Sequence, residues 1–188
     1  MEMRVEIGTL LASWPDMLDP NFMHSVLLIC QHADDGAYGL ILNRRTEFTT
    51  MNLLPDHPVL GKLPFAVHMG GPVAPTNLQV LHTVPQAIPG GVPLTERLWL
   101  GGDLDAVGDF IAGEEKGLSS KVCFFVGYAG WGAGQLDEEL ATGSWLPSPS
   151  APEGVLGAGG DEVWRQVVRS IGIDGGDLEN LPPDVRWN

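Results

Sequence analysis

The chain has 188 residues, with 10 Lys and Arg against 24 Asp and Glu, a formal net charge of −14 that repels phosphate backbones and anionic lipid surfaces. Its composition, 44% hydrophobic and 18% charged, is that of a folded chain able to bury one core, as one domain or two merged lobes. The densest basic pair is Arg44-Arg45, so direct nucleic-acid binding is disfavoured.

No apolar stretch approaches the roughly 20 residues a membrane-spanning helix needs. The N-terminal residues lack the cationic-then-apolar pattern of a secretory leader, so a cytoplasmic protein is expected. Cys30 and Cys123 each fall in an apolar run, the usual place for a reduced, buried thiol. With 25 Gly and 15 Pro, many short elements joined by turns are expected.

Val5 to Ser13 reads as a first strand, stopped by Trp14-Pro15, and a proline-bearing loop follows to Phe22. Ser25 to Gln31 and Ala37 to Asn43 read as antiparallel strands joined through the turn signal Asp34-Asp35-Gly36. The segment from Thr46 to Pro64 carries little pattern beyond a helical turn at Thr49 to Leu54. Short strands follow at Phe65 to Met69, Leu78 to Thr83 and Arg97 to Leu100, with a proline- and glycine-rich loop through Pro93. Leu104, Val107, Phe110 and Ile111 mark one face of a helix capped by Asp103.

Lys121 to Val126 reads as a strand, and its continuous apolar run, Val122 to Val126, is the pattern of one buried on both faces. It breaks into Gly127, Gly130, Gly132 and Gly134, with Tyr128 and Trp131 between them, and closes as a short acidic helix through Leu140. Pro147 to Pro152 reads as a flexible or extended connector. Asp161 to Ile171 is a helix with a buried stripe of Val163, Trp164, Val167, Val168 and Ile171. Strands joined mostly by short turns, with few helices, imply a mixed α/β sheet rather than a doubly wound one. Residues 1–173 form the domain, and residues 174–188 are expected to be a surface or mobile tail.

The glycine array invites a nucleotide reading but lacks the chemistry for one. The third fingerprint glycine is replaced by Gln135 or Asp137, and Gly61-Lys62 lacks the hydroxyl residue of a phosphate loop. Neither the five histidines nor the cysteines show metal-ligand spacing; His32 with Asp34 and Asp35 reads as a polar turn. No metal or cofactor is expected. Cys30 and His32 stand two apart on one strand, so period-two geometry places them on one face. Nothing there lowers the thiol pKa, and no catalytic set is assigned. Asp137, Glu138 and Glu139 suit a helix start, with Leu136 and Leu140 anchoring the helix and the acids facing water. Tyr128 and Trp131 either face a ligand or partner as an aromatic pair, or lock the turn into the core.

Several blocks occur in order: Gly8-Thr-Leu-Leu-Ala, Phe22-Met-His-Ser-Val, Gly36-Ala-Tyr-Gly-Leu-Ile-Leu-Asn43, Gly70-Gly-Pro-Val73, Leu81-His82, Gly127-Tyr-Ala-Gly-Trp-Gly-Ala-Gly-Gln-Leu136 and Trp145. In these the chain resembles the YqgE/AlgH family of bacterial proteins, from Gly8 to the helix ending near Ile171. The resemblance implies a single α/β domain whose branched, strongly bent sheet forms a pseudo-barrel with helices outside, in a bacterial cytosol. It implies no catalytic residues, although some members carry the label of transcriptional regulator. The connector Pro147 to Pro152 and the tail depart from the family pattern.

Two functions follow as expectations. The first is a non-enzymatic regulatory or adaptor protein that binds a protein partner or small effector, and regulates transcription, if it does, without touching DNA. The second is an enzyme or small-metabolite binder whose cleft gathers His24, Asn43, the Gly70-Gly71 amides, His82 and Tyr128. Trp131 and Gln135 complete the candidate binding residues.

Overall fold

The computed structural model describes residues 4–113 and 117–172. The C-terminal tail expected from the sequence lies outside the described residues.

In chain order the elements are β1 (Leu10–Ser13), β2 (Val26–Ala33), β3 (Gly36–Ile41), β4 (Arg45–Thr49), α1 (Thr50–Leu53), β5 (Ala66–Met69), β6 (Val73–His82), β7 (Gly91–Pro93) and β8 (Trp99–Gly101). They continue as α2 (Leu104–Gly113), α3 (Leu118–Lys121), β9 (Val122–Gly132), α4 (Gln135–Ala141), β10 (Trp145–Ser148), a single 3₁₀ turn (Pro152–Val155) and α5 (Asp161–Ile171). The strands make one mixed, branched sheet, ordered β10-β1-β2-β3-β9-β6-β8-β7, with β5 and β4 leaving it at β9. The branched and strongly bent sheet expected above is what the chain forms.

The apolar run of β9 is the trunk of the branch. Residues 122–126 are paired on both edges, by antiparallel β6 and parallel β5. Their side chains alternate between two buried cores, Cys123 and Phe125 on one face and Val122, Phe124 and Val126 on the other, so a continuous apolar sequence is required there. Residues 129–132 pair instead with β3. Between the two halves Gly127 takes a φ of +70°, a left-handed turn that re-aims the strand. At this junction Gly70 donates its N–H to the Val126 carbonyl at 2.8 Å and accepts from the Ile41 N–H at 2.8 Å. One residue thus stitches two limbs of the sheet together.

Side-chain alternation in β1 and β2 feeds a core on each face of the sheet. Leu10, Val26 and Leu28 join Trp164 and Val167 of α5 on one face. Leu11, Leu27 and Ile29 join Trp131, Leu136 and Trp145 on the other. A third cluster, built on Val67, Val80, Val107 and Phe124, packs α2 against the far limb. Helix α5 is locked by its indole: Trp164 is fully buried and donates Nε1–H to the Ser13 carbonyl at 2.9 Å. The Asp103 cap is present, its carboxylate accepting from the Ala106 N–H at 2.8 Å.

Four differences from the sequence expectations have physical causes. Strand β1 begins only at Leu10, because Gly8 adopts a φ of +89°. The stretch from Pro147 is not a free connector: Trp145–Ser148 is strand β10, with Leu11 opposite Pro147. Proline is tolerated there because β10 is an edge strand. Strands β4 and β7 are short, and β4 carries none of the alternation that would announce it. Finally, the β2–β3 register shifts between Ile29 and Gln31, so Cys30 is a bulge. The bulge reverses the alternation: Cys30 packs into the α5-side core while His32 turns toward α4 on the opposite face.

Candidate functional site

Tyr128 and Trp131 stand three residues apart on β9, and a period of two sends them to opposite faces. Trp131 is 7% exposed and belongs to the core under α4. Its Nε1–H donates to Glu139 at 2.9 Å, and Trp145 donates to the same carboxylate oxygen at 2.7 Å. Gln135 donates to the other Glu139 oxygen at 2.9 Å and accepts from the Gly132 N–H at 3.0 Å. Trp131 therefore closes the turn from inside, and the exposed Gln135 ties it from the surface. Of the three helix acids only Glu138 simply faces water: Glu139 holds two indoles, and Asp137 lies 3.3 Å from His32.

Tyr128, on the other face, meets Tyr38 of β3 with ring centroids 5.0 Å apart and planes inclined at 47°. The register explains this meeting. Tyr38 is directly opposite Gly130, which has no side chain, so the Tyr128 ring lies across that gap as a diagonal neighbour. A Cβ on Gly130 would approach the Tyr128 ring to 3.3 Å.

The two rings form one wall of a groove of about 440 Å³, closed on the other side by Thr76, Asn77, Leu78 and Gln79. These last residues belong to an irregular stretch of β6, where the register with β9 shifts between Val73 and Leu78. Gln79 is fixed by donating Nε2–H to the Gly127 carbonyl at 3.2 Å. Every lining side chain is uncharged. Burial, followed by the proximity of Cys30 and Tyr128, raises the Tyr38 pKa and keeps its hydroxyl a neutral donor. Among the described residues neither phenol hydroxyl finds a hydrogen-bond partner. Nothing in the sequence alone marks Tyr38; its signal is its place opposite a glycine in a paired strand.

The remaining candidates do not share this groove. His24 and Asn43 come together elsewhere, at the start of α5. Asn43 donates to the carbonyls of His24 at 2.8 Å and Gly160 at 3.1 Å, and accepts from the Val26 N–H at 2.9 Å. These bonds hold His24 at a φ of +49°, with its ring stacked 4.3 Å from Trp164 and Nδ1 3.5 Å from Asp161. Gly70 and Gly71 lie against Gly127 and Tyr128, but the Gly70 amide is already bonded within the sheet. His82 is at the far end of β9, opposite Val122. The cleft expected from His24, Asn43, Gly70, Gly71, His82 and Tyr128 is thus divided into three places.

The thiols are not nucleophiles at neutral pH, because burial pushes both Cys30 and Cys123 up to about 12. Among the described residues no group of three or more His, Cys, Asp and Glu is placed to hold a metal ion.

His68 and His82 are 3% and 0% exposed, and their ring nitrogens make no hydrogen bond of good geometry, with only the backbone of Phe124 and Ala158 near His68 and of Gly101 near His82 to offset the burial. Burial pushes both imidazoles below their ordinary pKa, so the unfolded chain accepts protons that the folded chain refuses. Stability is then complete above about pH 6.5, the unfolded value, and declines as the pH falls below it. His82→Leu is expected to flatten this decline between roughly pH 7 and 5. Urea midpoints of both proteins at the two pH values test it; parallel shifts would remove His82 from the explanation.

Three kinds of relative resemble the whole chain. The profile of the AlgH-like family matches residues 10–176. A UPF0301 protein of Chlorobaculum tepidum is 39% identical over 176 residues, covering 93% of this chain and 91% of its own. A UPF0301 protein of Paracoccus denitrificans is 37% identical over 175 residues, covering 89% and 90%. The solution structure of the AlgH protein from Pseudomonas aeruginosa superposes with a TM-score of 0.71 at 26% identity, over 97% of this chain and 99% of that one. A crystal structure of a Corynebacterium diphtheriae protein does so with a TM-score of 0.72 at 27% identity, over 90% and 89%.

Proposed function

The chain belongs to the AlgH-like family, and from that premise we propose that it is a non-enzymatic regulatory or adaptor protein that binds a small effector or a partner's side chain at the Tyr38–Tyr128 groove. The observation that carries this reading is the pair of phenol rings with unpartnered hydroxyls, set against the uncharged wall of Thr76, Asn77 and Gln79. A volume of about 440 Å³ falls in the range of small-molecule sites, roughly 300–1,000 Å³. Neutral hydrogen-bonding groups around an aromatic platform favour an uncharged, ring-bearing ligand, since a charged one would lose hydration without gaining a counter-charge.

Regulation, in this reading, reaches transcription through another molecule, because a net charge of −14 opposes approach to DNA. A cytosolic setting fits the two unpaired, buried cysteines. No described helix is long and apolar enough to cross a membrane.

The test compares native protein with Tyr38→Ala and Tyr128→Ala as baits in lysate, reading captured small molecules and proteins by mass spectrometry. A species captured by native protein and reduced at least about tenfold by both variants is the expected result, the loss typical of removing a buried aromatic contact. Equal capture by all three removes the groove from the function. In parallel, duplex DNA is expected to show no salt-sensitive complex, and a tight one would end the indirect route.

A further inference from the structure

On the other face of the sheet lies a second and larger groove, of about 1270 Å³. Its walls are the segment Arg4 to Ile7, the β2–β3 turn at His32 to Asp34, and the exposed side of α4. Its floor is apolar. Ile7 is 47% exposed within it, beside Val5 and Leu140, which are only partly covered by the core beneath. Its rim is acidic: Glu6, Asp34 and Asp137 line it, and Asp35 and Glu138 adjoin them in sequence, all exposed. The one guanidinium in the lining, Arg4, is 3.7 Å from Glu6. His32 is held between the Val5 carbonyl and Asp137, each at 3.3 Å.

This combination selects an occupant. The volume exceeds the roughly 300–1,000 Å³ of small-molecule sites, so a metabolite alone would not fill the groove. An acidic segment, a nucleic acid, or a second copy of a chain carrying −14 would meet like charge at the rim. A segment with a row of apolar side chains flanked by Lys or Arg satisfies both floor and rim, as amphipathic helices do in hydrophobic grooves. We propose that this groove docks a basic amphipathic segment of a partner protein. The proposal is independent of the Tyr38–Tyr128 groove, which faces the opposite side of the sheet.

A fluorescein-labelled peptide of Leu and Lys at helical spacing, about four turns long, serves as the probe for the full chain, read by fluorescence anisotropy. A Leu/Glu peptide of the same apolar content is its control. The Leu/Lys peptide is expected to bind and the Leu/Glu peptide not to. Ile7→Glu and the double reversal Asp34→Lys/Glu138→Lys are each expected to weaken binding at least about tenfold. Glu47→Lys/Asp109→Lys changes the net charge equally at exposed sites outside the groove and is expected to stay within about threefold of native. Tyr128→Ala is expected to bind like native protein. Circular dichroism confirms that each variant is folded. Failure of the Leu/Lys peptide to bind, undiminished binding by Ile7→Glu, or equal weakening by both charge-reversal pairs would overturn the proposal. Loss of binding in Tyr128→Ala would overturn it as well, by moving the site to the other groove.

Discussion

Gly71→Ala is expected to abolish the cooperative fold at room temperature, a loss of at least about 4 kcal/mol. A Cβ on Gly71 would stand 2.1 Å from the Tyr128 carbonyl carbon and 2.2 Å from its oxygen, and the residue's φ of +155° is one that L side chains rarely adopt. Gly127→Ala should behave alike, since its Cβ would lie 2.3 Å from the Gly71 carbonyl oxygen at a φ of +70°. All the close atoms are backbone, so no side chain can rotate away, and relief requires the two limbs of the sheet to part. Gly134→Ala is the control. Gly134 has a similar φ of +72° but open space around it, so only the left-handed penalty of roughly 1–2 kcal/mol is expected. Urea unfolding followed by near-ultraviolet circular dichroism separates these outcomes. A Gly71→Ala protein with a native midpoint would show that the seam can open without cost.

Much of the fold was legible in the sequence. The β2–β3 hairpin, the α2 cap at Asp103, the stripe of α5 and the buried trunk of β9 all follow from local rules of turn, cap and period. What local rules could not supply was where strands are short or irregular. A single bulge at Cys30 reverses the facing of His32, and β10 passes through a proline because it lies at an edge. The candidate site was half legible. The glycine turn marks Tyr128 and sets Trp131 near it in sequence, but parity along β9 places those two on opposite faces. Tyr38 becomes visible only once the register sets it opposite Gly130. His24, Asn43 and His82 are polar residues among apolar runs, a pattern that describes both binding sites and buried structural bonds. The bonds of Asn43 to the chain on three sides assign it to holding the start of α5.

The remaining large effect concerns the acid that the helix-start explanation left in solvent. Glu139→Ala is expected to destabilise the protein by about 2–4 kcal/mol. One Glu139 oxygen accepts from the indoles of Trp131 and Trp145 at 2.9 and 2.7 Å, and both rings are nearly sealed, 7% and 2% exposed. Removing the carboxylate leaves two indole donors short of an acceptor, each worth roughly 1–3 kcal/mol when fully buried. Glu139 itself is half-buried, so water recovers part of this, which sets the range below the simple sum. Glu139→Gln retains an oxygen for the indoles but loses the charge, and an intermediate loss is expected. Glu138→Ala, one residue away and facing water, is expected to stay within about 0.5 kcal/mol. A double-mutant cycle with Trp131→Phe assigns the coupling to the pair, and strong coupling in stability identifies Trp131 as a lock. If Glu139→Ala unfolds at the native midpoint, the indole is not held by this carboxylate, and Trp131 returns as a candidate to face a partner.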